Sequence, residues 1–142
     1  MTLWLDAYEK RFVEELSGMN FFCVINGEVV TPKLNDTILV GITRDSLIQL
    51  AKLEGYKVRE EKIDIHELFK KIESGECTEA FACGTAAIIS PIESLGIKSG
   101  KCYKLPFANG PVAKKLRATL LDIQEGRKPG PDGWMKKVEW SN

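Results

Sequence analysis

A mixed α/β domain is the fold class this sequence predicts, and three observations predict it. The dipeptide Asn26-Gly27 separates the apolar run Met19–Ile25 from a second extended run over residues 28–31, which is the pattern of a two-residue β-hairpin. Apolar residues recur at helical spacing in Ile65, Leu68, Phe69 and Ile72, and again in Val112, Ala113, Leu116, Leu120 and Ile123. The 142 residues, 44% of them hydrophobic, suffice for one domain with a core and are too few for two.

Taken in order, Leu3–Leu5 and Met19–Ile25 read as strands, with a short amphipathic segment over residues 7–16 between them. After the hairpin and Pro32, the chain runs through Ile38-Leu39-Val40 to Gly41, and a helix is predicted over residues 44–54, stopped by Gly55. Residues 56–63 look extended. Asp64, with Glu67 three residues on, forms a capping box for the helix that Gly75 closes. Strands are expected over residues 78–83, 86–95 and 101–105, with Lys98-Ser99-Gly100 as the turn between the last two. Gly110-Pro111 opens a helix that Gly126 ends, and residues 128–133 form a loop before Trp134. No internal repeat, low-complexity tract or linker interrupts this order, so the organisation is one mixed unit.

Composition narrows the partners. Twenty basic residues balance twenty acidic ones, so no net field draws the chain to nucleic acid or anionic lipid. No apolar run approaches the roughly 20 residues of a membrane helix, and no basic segment followed by an apolar stretch opens the chain, so a cytoplasmic protein with small-molecule partners is expected. Cys23, Cys77, Cys83 and Cys102 are spread without a Cys-x-x-Cys pair and are read as reduced thiols. His66, the one histidine, lies among polar residues and is read as solvated; no metal site is expected.

Three short constellations bear on chemistry. In Gly41-Ile42-Thr43-Arg44 the glycine permits close backbone approach, and Thr43 reads as the N-cap of a helix whose first N–H groups suit a phosphate. In Cys83-Gly84-Thr85-Ala86-Ala87 small residues crowd a tight bend that can bring N–H groups and a hydroxyl to an anion. Glu15 stands between the amphipathic segment and an apolar strand, where a partly buried carboxylate needs a cationic partner such as a protonated pyridine nitrogen. Taken singly, these also fit an ordinary helix cap, an ordinary turn and a surface glutamate.

Order and spacing join them. Leu3-Trp4-Leu5-Asp6, Glu14-Glu15 through Met19-Asn20-Phe21-Phe22, Gly41-Ile42-Thr43-Arg44, Gly84-Thr85-Ala86, Asn109-Gly110-Pro111 and Ile123-Gln124 to Gly126-Arg127 resemble the branched-chain amino-acid aminotransferases, class IV enzymes of fold type IV that use pyridoxal 5'-phosphate. The resemblance covers almost the whole chain, and Gly133-Trp134 looks more like that family than like D-amino-acid transaminases or aminodeoxychorismate lyases. It implies the C-terminal part of the large domain of a D-amino-acid aminotransferase-like enzyme: a mixed sheet with flanking helices, forming a single partial domain over residues 1–142.

The activity implied is transfer of an amino group between leucine, isoleucine or valine and 2-oxoglutarate, by an enzyme that is a homodimer when complete. Carried over by residue, the resemblance makes Glu15 the partner of the cofactor's ring nitrogen, with Asn20 beside it in support. Ile42, Thr43 and Thr85 would hold the phosphate, and Ala86 and Ala87 the substrate carboxylate. Where many members have Gly-Thr this chain has Ser17-Gly18.

The family's Schiff-base lysine and phosphate-clamping arginine lie upstream of the segment matched by Leu3-Trp4. No catalytic residue is therefore assigned, Lys10 included, and the isolated chain is expected to be inactive without a complementary N-terminal fragment. From the same argument, large side chains among Leu3, Trp4, Phe21 and Phe22 are expected to be poorly covered, and the free chain to self-associate. A non-catalytic pyridoxal-phosphate or phosphate-ligand module, a ligand-free structural fragment, or another class IV activity are the alternatives.

Overall fold

The computed structural model describes residues 1–139. Seven strands form one mixed sheet: β1 (Leu3–Leu5), β2 (Val13–Leu16), β3 (Met19–Ile25), β4 (Glu28–Pro32), β5 (Val58–Glu61), β6 (Cys77–Gly84) and β7 (Ile88–Ile92). Two short strands, β8 (Ser94–Gly96) and β9 (Cys102–Lys104), make a separate antiparallel ribbon, and the helices are α1 (Ile42–Leu53), α2 (Ile65–Ser74) and α3 (Pro111–Gln124). Among the described residues, no helix is long and apolar enough to cross a membrane.

β3 is the axis of the sheet. It pairs with β2 and β4 on one edge and along β6 on the other, all antiparallel, whereas β4 and β5 run parallel with α1 as the crossover between them. The near-continuous apolar sequence of β3 follows from burial on both faces. Phe21, Cys23 and Ile25 point into one core with Leu68 and Ile72 of α2 and with Leu95 of the ribbon. Phe22 and Val24 point into the other with Leu47 and Leu50 of α1 and Leu116 and Leu120 of α3. There Phe22 stacks on Phe81 of β6 at 5.3 Å, a pair worth roughly 1 kcal/mol beyond its buried area.

The hairpin at Asn26-Gly27 has the form its sequence demands: both residues have positive φ, 51° and 78°, and Ile25 pairs with Glu28 across the turn. Asp64 caps α2, accepting from the N–H groups of His66 at 2.8 Å and Glu67 at 3.4 Å, and Gly75 ends that helix in the left-handed region. His66 is exposed, and all four cysteines are free thiols.

Four expectations need correction. Residues 7–16 are not one amphipathic segment; they fold as a turn followed by strand β2, because the Asp6 carboxylate accepts from the N–H groups of Glu9, Arg11 and Phe12 and closes the turn early. α1 starts at Ile42 rather than at residue 44, so Thr43 lies inside its first turn and is not the N-cap; Gly41 is, with φ 67°. The run over residues 86–95 is two strands, with the bend at Thr85, Ala86 and Ala87 preceding β7 and a break at Glu93 before β8. Phe21 and Phe22 are wholly buried, because α2 covers one face of β3 and α1 with α3 covers the other. On edge strand β1, Trp4 is 55% exposed and Leu3 half-buried.

Candidate functional site

The β2–β3 hairpin, the start of α1 and the β6–β7 bend meet at a cleft of about 310 Å³. Register explains the first contribution: Leu16 pairs with Met19 across the turn Ser17-Gly18, which puts Glu15 directly opposite Asn20. It explains the last too, since Gly84 pairs with Ile88 and projects Thr85, Ala86 and Ala87 as a three-residue loop. Asn20 also pairs with Cys83 of β6, so the two hairpins are neighbours and their turns open on the same side of the sheet.

Glu15, Asn20, Ile42, Thr43, Thr85 and Ala86 all line this cleft. Ala87 does not, although it lies exposed on the same bend. Residues that the sequence reading did not select complete the wall, among them Gly18, Met19 and Leu39. Gly18 had one legible signal, its place in a two-residue turn that requires positive φ. Leu39 had none, because its role is played by the backbone.

Leu39 donates its N–H to Oε2 of Glu15 at 3.2 Å and accepts at its carbonyl from Nδ2 of Asn20 at 2.7 Å. The chain then turns through Gly41 into α1. A Cβ on Gly41 would collide with the Asn20 carboxamide, so glycine is required there by contact as well as by its positive φ. The first intrahelical bond runs from Asp45 N–H to Gly41 carbonyl, and no side chain caps the helix. The N–H groups before Asp45 thus have no intrahelical acceptor, and two of the residues that carry them, Ile42 and Thr43, line the cleft at the positive end of the helix dipole.

The charges around this cleft are arranged asymmetrically. Arg44, though part of the same motif, turns into the fold and donates to the Pro32 carbonyl at 2.9 Å and to Glu60 at 2.8 Å. It fixes α1 against β4 and β5 and offers no charge to the cleft. Burial pushes the Cys83 thiol up to about 12 against the pull of Arg44, so it is a protonated, inert thiol at neutral pH. The cleft is therefore lined by one carboxylate on β2, by the start of α1 with its backbone donors and Thr43, and by Thr85 of the β6–β7 bend. A planar cation-bearing ring with an anionic arm fits that donor set, carboxylate to ring nitrogen and N–H groups to phosphate.

A wider recess of about 470 Å³, lined by residues such as Tyr8, Phe12, Val13 and Ile38, shares no residue with this cleft. Its Asp6 carboxylate is consumed by the turn of residues 6–12, which holds that carboxyl at about 2 through hydrogen bonds from the Phe12, Arg11 and Glu9 N–H groups. The smaller cleft has the open donors and is the functional candidate.

Comparison with known proteins supplies the family. The family described as amino-transferase class IV matches residues 4–95. Among curated relatives, branched-chain-amino-acid transaminase 1 of Bacillus subtilis (strain 168) is 46% identical over 136 residues, covering 96% of this chain and 38% of the relative. The branched-chain-amino-acid aminotransferase of Mycolicibacterium smegmatis is 45% identical over 140 residues, with the same coverage of 96% and 38%. This chain thus spans well under half the length of those relatives.

Among solved structures, a branched-chain amino acid aminotransferase from Escherichia coli superimposes with a TM-score of 0.79 at 31% identity, over 97% of this chain and 43% of that one. A T.th. branched-chain amino acid aminotransferase, solved with pyridoxamine 5'-phosphate, gives 0.78 at 34% identity, over 96% and 41%. The strand order, the two-faced core and the matched segment of 4–95 lead to one assignment: the chain belongs to the class IV aminotransferases.

Proposed function

We propose that this chain is the C-terminal, cofactor-binding part of a pyridoxal 5'-phosphate enzyme that moves an amino group between branched-chain amino acids and 2-oxoglutarate. One observation carries the reading: Glu15, Asn20, Ile42, Thr43, Thr85 and Ala86, drawn from three separate parts of the sequence, line a single cleft with a carboxylate at one end and open N–H donors at the other. The similarity to relatives named as branched-chain transaminases supports the substrate class.

Each residue then has a task. The Glu15 carboxylate keeps a proton on the ring nitrogen. The N–H groups of Ile42 and Thr43, with the Thr43 and Thr85 hydroxyls, hold the phosphate. The β6–β7 bend, with its small Ala86 in the cleft wall, leaves room for the substrate carboxylate. When bound, pyridoxal phosphate supplies an electron sink for the pair left behind as the substrate's α-proton departs. No lysine lines the cleft among the described residues, so the amine that carries that proton is assigned to a portion outside this chain, which acts within a dimer of complete subunits. The same lack favours a second reading, a module that binds pyridoxal phosphate without turnover.

An assay of leucine with 2-oxoglutarate separates the two. The chain alone should give no turnover above a matched blank. Supplied with the N-terminal portion of the Bacillus subtilis relative it should turn over leucine, and Glu15→Ala should abolish that activity. Turnover by the completed enzyme confined to D-amino acids would overturn the substrate assignment. Complementation that fails while pyridoxal phosphate still binds would leave the binding module.

A further inference from the structure

The segment that leads into α1 is unusual in what it leaves outside. Leu39 is 70% exposed, Val40 64% and Ile42 89%, so packing of their own side chains contributes little to where this backbone stands. Its position depends on what grips the main chain. Two side chains of the β2–β3 hairpin do so, and both act on Leu39: Asn20 donates to its carbonyl at 2.7 Å and Glu15 accepts from its N–H at 3.2 Å.

The two grips are unequal. Glu15 is half-buried and its bond is the longer one. Asn20 is 5% exposed and anchored in a strand paired on both edges, with Glu15 on one side and Cys83 on the other. Its carboxamide is also the surface on which Gly41, the last residue before α1, is seated, since a Cβ at that position would strike it. The rigid member of this contact is therefore Asn20, and the member it holds is the loop that aims the first N–H groups of α1.

We propose that Asn20 is the positioning residue of the anion cup: by holding the Leu39 carbonyl and seating Gly41 it fixes where the Ile42 and Thr43 N–H groups stand relative to the Glu15 carboxylate. This gives Asn20 a duty toward the phosphate end, distinct from supporting Glu15 at the ring end. It makes the two ends of the cleft one mechanical unit, joined through Leu39. The functional consequence rests on the cofactor reading above, whereas the mechanical claim does not.

The test uses the 142-residue chain and two readouts. In Asn20→Ala, amide hydrogen exchange at Leu39 and Asp45, whose N–H groups are bonded to Glu15 and to the Gly41 carbonyl, should rise about tenfold in the ligand-free chain, while Phe22 of β3 and Phe81 of β6 keep their protection. Affinity for pyridoxal 5'-phosphate, read by fluorescence quenching, should fall by a similar factor. Gly41→Ala, which displaces the same carboxamide from the other side, should give the same pattern, and its effect should shrink in an Asn20→Ala background because the group it strikes is gone. Unchanged exchange at Leu39 and Asp45 in either single variant would overturn the proposal. So would a rise spread through β3 and β6, which marks a merely structural asparagine. If the unsubstituted chain binds no pyridoxal phosphate, the cofactor reading falls, and the exchange pattern still decides the role of Asn20.

Discussion

Helices α1 and α3 begin alike and end their first turns differently. Each follows a glycine that has no side chain to offer as a cap, Gly41 for α1 and Gly110 for α3. In α3 the first donors are closed from within: the Glu79 carboxylate, 2% exposed on β6, accepts from the Val112 and Ala113 N–H groups at 3.1 Å each, and Pro111 has no N–H to satisfy. In α1 the nearby polar groups, Glu15 and Asn20, are spent on Leu39 one turn earlier, and the helix start faces the cleft. A carboxylate under one helix makes a structural joint, and the start of the other, with no such partner, is the one we propose for an external anion. The difference lies mainly in which strand residue stands beneath each helix, with Pro111 removing one further donor from α3.

The largest effect that would break this contrast is on α3. Glu79→Ala leaves two buried donors without an acceptor and should cost about 3 kcal/mol in urea denaturation, with no change in affinity for pyridoxal phosphate per folded molecule. A near-neutral result would remove the distinction between the two helix starts. Gly110→Ala should cost about 2 kcal/mol, since its Cβ would overlap the Glu79 carboxylate.

At α1 the signs exchange. Thr43→Val should change stability by less than about 0.5 kcal/mol, because Thr43 caps nothing, yet weaken pyridoxal phosphate binding about fivefold through the lost hydroxyl. Unchanged affinity in a folded variant would return Thr43 to the helix frame.

The smallest effect concerns α2, which is sealed by Asp64. Burial pushes that carboxyl up, but the Arg11 guanidinium and the His66 and Glu67 N–H groups outweigh it and hold it below its ordinary value of 3.8. A folded-state value below the unfolded one means the contribution is full above 3.8 and is lost as pH falls through the lower, folded value. Urea midpoints followed from about pH 5 to pH 2 should therefore drop, and Asp64→Asn should make the drop shallower. Equal slopes would show that the cap carries no ionic component.

What was legible in the sequence followed from local rules. The Asn26-Gly27 hairpin, the Asp64 cap, the Gly75 stop and the five buried positions of α3 each depend on neighbours within a few residues, and each stands where expected. Glu15 and the small-residue bend were joined by order and spacing, and the structure brings both to the cleft. The failures depended on distance. Thr43 looked like a cap because threonine often is one, but the chain enters α1 at Gly41, where Asn20, distant in sequence, leaves room for glycine alone. Glu79 carried no local signal, because its partners are 33 and 34 residues away. The coverage of Phe21 and Phe22 was misjudged because nothing near them in the chain reveals that helices occupy both faces of the sheet.

The central claim is that the open start of α1, and not the sealed start of α3, receives the anion. Titrating the isotope-labelled chain with pyridoxal 5'-phosphate and following each backbone amide tests it most directly. The account predicts saturable shifts at Ile42, Thr43 and Thr85, with Val112 and Ala113 unmoved. Shifts of equal size at both helix starts, or none at Ile42 and Thr43 while binding is seen by another readout, would contradict it.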